Sequence, residues 1–426
     1  MARWQTRMSA LQSLWLFFMK VIRNLFIVLF ISTSAFAADW TQWRGAKRDG
    51  FVSGVNLPAT LPKDLKEQWR VTVGIGHSTP LVVGNKIYHF TRQGEDEILL
   101  CLDLATGKEV WRVANQNVSY TVHRAAQAHG KGPKSTPVYW NNKIYTLGIS
   151  GILSSHDAKT GKLIWQKEFS KQYKETSPLF GTATSPVVDN GLLITYVGGH
   201  DNGAMTAFDA ETGAVKWFYD GDGPAYSSPL VVTLAGVKQV VTHTQKEFVG
   251  IDATNGKKLW SIPSKSEYED NCASPILYKN NIIFSRERFG IFSIRVTKKG
   301  DTYETQEVWK NSDNELYMNT PVINGNHLFG LSSKKKGQFF AIDADTGKTL
   351  WQGEGRVGEN AAILNTGKTL FFLTNDANLI IANPNTKNFE VLAKYTVAQS
   401  QTWAHPILLG NKMLIKDEKT IALFSF

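Results

Sequence analysis

Asp343-Ala344-Asp345-Thr346-Gly347-Lys348-Thr349-Leu350-Trp351 is one of seven variants of a single phrase. The others end in Trp69, Trp111, Trp165, Trp217, Trp260 and Trp309, so the phrase returns every 42 to 54 residues. A period of that length with turn signals inside it marks a radial array of small sheets. Each unit opens on a small polar residue and Pro, as in Thr79-Pro80, Thr136-Pro137, Ser185-Pro186, Ser228-Pro229, Ser274-Pro275 and Thr320-Pro321, with His405-Pro406 last. A short apolar run, a turn such as Asn141-Asn142 and an alternating strand such as Lys143-Ile144-Tyr145 follow. A third strand ends in Asp103, Asp157, Asp209, Asp252 or Asp343. A tight turn with Gly107, Gly161, Gly213, Gly256 or Gly347 then leads to the Trp strand. Gly suits a turn position with positive φ, and Asp at the turn start can accept its backbone N–H groups. Four strands per unit make one propeller blade.

Eight unit starts are counted, at 80, 137, 186, 229, 275, 321, the Ala361-Ala362 equivalent and 406. The last unit stops after three strands, and Glu67-Gln68-Trp69-Arg70-Val71 precedes any complete unit. The expected fold is therefore an all-β, eight-bladed propeller closed by pairing residues 67–71 with 420–425, which removes the open sheet edge. Two units depart from the pattern. Asn383-Pro384-Asn385-Thr386-Lys387-Asn388 stands at the seventh turn with no Trp after it, and Asp301-Thr302 replaces the fifth turn. Trp111, Trp165, Trp217, Trp260 and Trp351 are read as structural docking residues, flat indoles filling the wedge between blades. Trp165, Trp217 and Trp351 are expected to be largely buried.

The first 37 residues hold Arg3, Arg7, Lys20 and Arg23 with no acid, then Leu25-Phe26-Ile27-Val28-Leu29-Phe30-Ile31 and Ser34-Ala35-Phe36-Ala37. A basic head, a short apolar core and an Ala-x-Ala exit predict a secretory signal cut after Ala37. Met19-Lys20 would itself open such a signal, so Met1 and Met19 are alternative starts. A retained anchor is the competing reading, but Lys20 and Arg23 leave the apolar stretch short for a span. This divides the chain into a signal (1–37), an extension (38–64) and the propeller (65–426), with the periplasm or the exterior as destination. Without the signal, 43 basic residues face 37 acidic ones, a net +6. That mild excess, with Lys334-Lys335-Lys336 as the one run of three, gives no nucleic-acid signature. Cys101 and Cys272 stand in different repeats, so the chain is not built on disulfides. Cys101, inside Leu99-Leu100-Cys101-Leu102, reads as a small buried residue.

The Asp-x-x-Thr-Gly-Lys-x-x-Trp phrase resembles the tryptophan-docking motif of the PQQ-like (pyrroloquinoline-quinone-type) propeller repeats. Asp39-Trp40-Thr41-Gln42-Trp43-Arg44-Gly45, followed by Arg48-Asp49-Gly50, resembles the opening of secreted bacterial members. The resemblance covers residues 65–426 and implies one of two branches. Quinoprotein alcohol dehydrogenases carry an adjacent Cys pair over the quinone, a Glu/Asn/Asp calcium site and an Asp base. This sequence has no adjacent cysteines and no positions matching the calcium motif. The other branch is non-enzymatic and is typified by the outer-membrane assembly factor BamB.

Candidate binding residues lie three positions before the unit starts: His77, Lys134, Ala183, Tyr226, Cys272, Met318, Glu359 and Trp403. Radial equivalence should gather them near the axial channel, where ligand pockets of ring folds form. The competing reading is ordinary variation at a channel mouth. Long inserts at 115–134 and 171–184 lengthen the second and third units. His123 and His129, six apart with no carboxylate nearby, are weak metal evidence. There is no Gly-x-Ser-x-Gly elbow, phosphate loop or His-Glu-x-x-His. The sequence therefore reads as an exported, non-catalytic, monomeric propeller without a cofactor. It would bind an envelope protein or polysaccharide at the face formed by His77, Lys134, Tyr226, Cys272, Glu359 and Trp403, and meet the membrane only through that partner. The alternatives are a divergent oxidoreductase using PQQ with Ca²⁺ and a carbohydrate-binding propeller with Tyr226 and Trp403 as stacking rings.

Overall fold

The computed structural model describes residues 39–426, apart from Lys265, Glu267, Glu269, Asp270 and Glu287; the proposed signal lies outside the described residues. Among the described residues the strands form eight four-stranded antiparallel sheets. They are blades 1 to 8 of one propeller, with blades 1 to 7 spanning 81–115, 138–167, 187–219, 230–263, 276–311, 322–352 and 361–396. Blade 8 takes three strands from 407–425 and its outermost strand, Lys66–Thr72, from the other end of the chain. Thr72 pairs with Thr420 and Lys66 with Ser425. No helix of the described residues is long and apolar enough to cross a membrane.

The repeated phrase builds the contacts between blades. The Asp209 carboxylate accepts Glu211 N–H, Thr212 N–H and the Thr212 hydroxyl at 3.0–3.1 Å, and Asp103, Asp157 and Asp343 do the same in their turns. Five indoles, Trp69, Trp111, Trp165, Trp217 and Trp309, each lie on the turn glycine of the next blade. A Cβ on Gly213 would stand 2.8 Å from Trp165, and one on Gly347 would stand 2.6 Å from Trp309. Trp217 Nε1 also donates to Ala253 O at 3.0 Å, and Trp309 Nε1 to Ala344 O at 2.9 Å. A β-bulge before each Trp sets six of the seven opposite a small residue, as Cys101 faces Trp111, Ser155 faces Trp165 and Ala207 faces Trp217, while Trp69 faces Leu423. Where blade 7 has lost the Trp, the sizes exchange and Ala393 faces Ile381. Trp217 and Trp351 are buried, and Trp165 is half-buried.

Trp260 is buried in one apolar cluster with Ile282, Phe284 and Phe292 of blade 5, but it is held differently from the other indoles. Its Nε1 donates to Gln239 Oε1 in its own blade at 2.7 Å. The next blade offers a long hairpin, Gly290–Lys299 with Thr302–Asn311, in place of the Asp-Gly turn. Gly250 opposite leaves room for the indole to fold back, since a Cβ there would lie 2.2 Å from it.

The hydroxyl before each Pro is a latch. The Oγ atoms of Thr136, Ser185, Ser228, Ser274 and Thr320 each accept the N–H of the equivalent residue one blade earlier, at 2.9–3.2 Å. His405 N–H closes onto Thr79 Oγ1 at 3.0 Å. The belt is interrupted at blade 7, where Ala361 has no hydroxyl. The extension covers the interruption: Val52 N–H reaches Asn365 O at 2.8 Å and Asn365 N–H reaches Gly50 O at 2.9 Å. The extension crosses the inner strands, pairing Trp40 with Val82 of blade 1. Its two arginines fork onto latch dipeptides. Arg44 donates to Thr320 O and Pro321 O at 2.7 Å, and Arg48 to Ser185 O and Pro186 O at 3.0 and 2.9 Å. Both are buried, no ion pair joins them to a carboxylate among the described residues, and their charge is dispersed over carbonyl dipoles. Trp40 and Val52 join the apolar cluster that runs from blade 7 through blade 8 to blade 1.

Two outcomes test these contacts. Trp217→Ala should lower urea stability by roughly 3–5 kcal/mol, the range for a buried large aromatic; a loss below about 1 kcal/mol would show that the indole is no wedge. Ser228→Ala should cost about 1–3 kcal/mol, because it orphans the buried Ser185 N–H. Ser227→Ala is the control, since the Ser227 hydroxyl is buried with no protein partner. Equal losses at 227 and 228 would dismiss the latch.

Candidate functional site

The extension divides the channel. On one side Gln42, Arg48, Asp49 and Phe51 line a cavity of about 780 Å³ with the inner strands of blades 3 to 6. On the other side Trp43 lines a cavity of about 600 Å³ together with latch residues Thr79, Thr136, Ser185, Ser228, Ser274 and Thr320. Arg44 and Arg48 hold Trp43 by cation–π contacts at 5.5 and 5.3 Å, and His405 meets it edge-on at 5.8 Å.

The second cavity gathers His77, Lys134, Ala183, Tyr226, Cys272, Met318 and Trp403 in its wall. Glu359 is not among them, although its charge acts on His129 of the same wall. Glu359 is exposed, and its neighbour Asn360 lines the cavity instead. Blade 7 starts without the hydroxyl–Pro pair. Asn375 Oδ1 instead accepts the N–H groups of Glu359 and Asn360, at 3.2 and 3.3 Å, which fixes this local turn.

The two inserts complete one side. The first folds its 3₁₀ turn Arg124–His129 against the cavity, with His123 Nδ1 capping Ala125 N–H at 3.2 Å. The second supplies Leu179 and Phe180. Tyr226 stacks on Phe180 at 5.8 Å and its hydroxyl accepts Phe180 N–H at 2.9 Å. His77, His129 and Trp403 form an aromatic trio with centroids 4.8–5.9 Å apart. His77 Nε2 lies 3.1 Å from His129 O, which requires Nε2 to carry the proton and leaves Nδ1 as an acceptor.

The electrostatics are cationic and weakly compensated. Burial pulls the Lys134 ammonium down to about 8, with Cys272 acting in the opposite direction, and its Nζ donates to Phe180 O at 2.6 Å. Burial also lowers His77 to about 3, helped by the charges of Lys134, His129 and Lys416. No Asp or Glu is among the described lining residues. No group of three or more His, Cys, Asp or Glu among the described residues could hold a metal ion. Cys101 is buried in blade 1, away from Cys272 in the lead-in to blade 5. Asn319 stands out: it is 4% exposed, lines the cavity, and neither its Nδ2 nor its Oδ1 has a protein partner.

Sequence reasoning did not find Trp43 as the cavity floor, the wall made by Phe180 and His129, or Asn319. Trp43 left a signal in the extension's resemblance to the openings of secreted family members, and the wall left one in the two long inserts and His129.

A family model described as outer membrane protein assembly factor BamB matches residues 95–353 and 301–401. BamB of Yersinia pestis is 21% identical over 373 residues, 82% of this chain and 85% of that protein. The dehydrogenase subunit of a quinone alcohol dehydrogenase from Komagataeibacter europaeus is 33% identical over 165 residues, which is 34% of this chain but only 20% of that subunit's length. Among solved structures, quinohemoprotein alcohol dehydrogenase from Comamonas testosteroni aligns with a TM-score of 0.67 at 16% identity, over 91% of this chain and 80% of that one.

His77 should stay neutral across the physiological range. Its imidazole carbon resonance, assigned with a His77→Gln variant, should not move between pH 8 and pH 5. An unfolded histidine titrates near 6.5, so as pH falls from 6.5 towards 3 the unfolded chain takes up this proton first, and stability declines in that window. A His77 titration centred near 6.5 would show that the cavity wall is open to water.

Proposed function

This chain belongs to the BamB family of PQQ-type repeat propellers, and we propose that it is an exported, non-catalytic scaffold that holds a partner protein at one end of its axial channel. The observation that carries the reading is the blind cavity over Trp43. Eight similar blades surround it, yet its lining does not repeat: His77, Lys134, Tyr226, Cys272 and Trp403 occupy equivalent positions. A concave site with aromatic area and a few convergent polar groups is how binding pockets are built. The family match and the BamB relative spanning most of the chain support a scaffold role. The basic, apolar N-terminus supports export.

The residues do not fit a calcium-dependent quinone cofactor. Lys134 and Arg124 could face carboxylates, and Trp43 and Trp403 could face a ring. The adjacent thiols and the cluster of oxygen ligands that would hold the quinone and its cation have no counterpart among the described residues. No Asp or Glu that could take the alcohol proton is among the described lining residues.

The test pairs two measurements. Dye reduction with PQQ, Ca²⁺ and a panel of alcohols should stay at background. Crosslinked capture of an envelope protein should be lost in a Tyr226→Ala/Trp403→Ala variant whose melting curve matches wild type. Turnover above background would overturn the scaffold reading, and unchanged capture would move the site elsewhere.

A further inference from the structure

We infer that the cavity over Trp43 recognises an extended peptide segment of the partner, one with an acidic side chain flanked by apolar residues. The inference rests on the partner-binding reading above and adds the chemistry of what is bound. Three observations converge on it.

Asn319 is nine-tenths buried with an unused donor and an unused acceptor on one planar group. Buried polar groups are normally paired, and a primary amide is the complement of a peptide group, which offers one C=O and one N–H. Asn360 Oδ1, also buried in the lining, is a second unused acceptor.

Lys134 enters before blade 2, whereas Asn319 enters before blade 6, so the two act from separate parts of the ring. The Lys134 ammonium spends one of its three donors on Phe180 O. No carboxylate among the described lining residues neutralises it. A half-buried cation without a counter-charge is completed by an anion that comes with the ligand, and exposed Arg124 adds a second cation on the adjoining wall.

Several exposed residues of the lining are apolar or aromatic. Leu179 is 38% exposed, Met318 38% and Tyr268 58%. Apolar surface around a polar anchor is the arrangement of protein-recognition sites, and methionine adapts to varied side chains. Leu and Met favour a peptide over a sugar, whose edges are hydroxyls.

The probe is an array of the peptide Ac-Gly-Leu-Xaa-Phe-Leu-Gly-NH₂ with all twenty residues at Xaa, read with the labelled full chain. The best peptides are then titrated in solution. Asp and Glu peptides should bind at least tenfold more tightly than the Asn and Gln peptides. Lys134→Gln should abolish that preference, and Lys134→Arg should retain it. Asn319→Leu should weaken acidic and neutral peptides alike. Melting curves show that each variant is folded. Equal binding of acidic and amide peptides, or no array peptide binding, would overturn the inference. So would binding of trigalacturonate or PQQ in the cavity where no peptide binds. If capture through Tyr226 and Trp403 survives in Lys134→Gln, the scaffold reading stands and this inference falls.

Discussion

The hydrogen bond from a backbone N–H in one blade to a Ser or Thr hydroxyl in the next holds the inner ring. Neighbouring blades share no strand pairing, since every ladder stays inside its own four-stranded sheet. Close to the axis the inner strands share buried apolar clusters, as Val322 does with Ala361 and Ile363, but no backbone ladder joins them. The latch supplies a directional bond there, and the Pro that follows needs no donor partner of its own. Farther out the wedge widens, and an indole lying on a glycine turn fills it. Two residue types at two radii thus divide the work of holding the ring.

The extension depends on both. Arg44 and Arg48 bind the carbonyls of latch dipeptides in blades 6 and 3, so their position follows from the belt. In return the extension spans blade 7, where the belt lacks a hydroxyl, and seats Trp43 across the channel. The cavity owes its depth to that indole and its chemical identity to the loops above it. This separation lets the platform stay regular while the lead-in residues vary, and function lives in such grafted sites rather than in the fold.

The blade count, the terminal pairing and the turn chemistry were legible because each is written in contiguous residues. Asp, Gly and Trp sit within nine positions of one another in the phrase ending at Trp351. The latch was visible only as a recurring Ser or Thr before Pro, because its bonds join residues such as Ser185 and Ser228, 43 positions apart. How Trp260 is held was not legible, because the decisive residues lie elsewhere, in Gly250 opposite and in the missing turn of the next blade. Glu359 stands outside the lining residues where blade 7 starts on Ala361-Ala362 and not on the hydroxyl–Pro pair of its neighbours. The cavity wall drew on inserts outside the repeat, where a period says nothing about position.

Ring closure joins strands from opposite ends of the chain, with Thr72 beside Thr420. Bringing such distant segments together costs about 5 kcal/mol of chain entropy for a loop of this length. Contacts between neighbouring blades are far more local and cost about 3 kcal/mol by the same measure. During folding there is therefore a period when an arc of blades exists with an unpaired edge at Thr420–Ser425 and an unattached strand at Lys66–Thr72. Nothing in the pairing distinguishes that strand from the same strand of another molecule. Concentrated chains then exchange it and form swapped dimers or open chains of arcs, while dilute chains close on themselves. The rate at which chains arrive in one compartment thereby sets how many rings close on themselves.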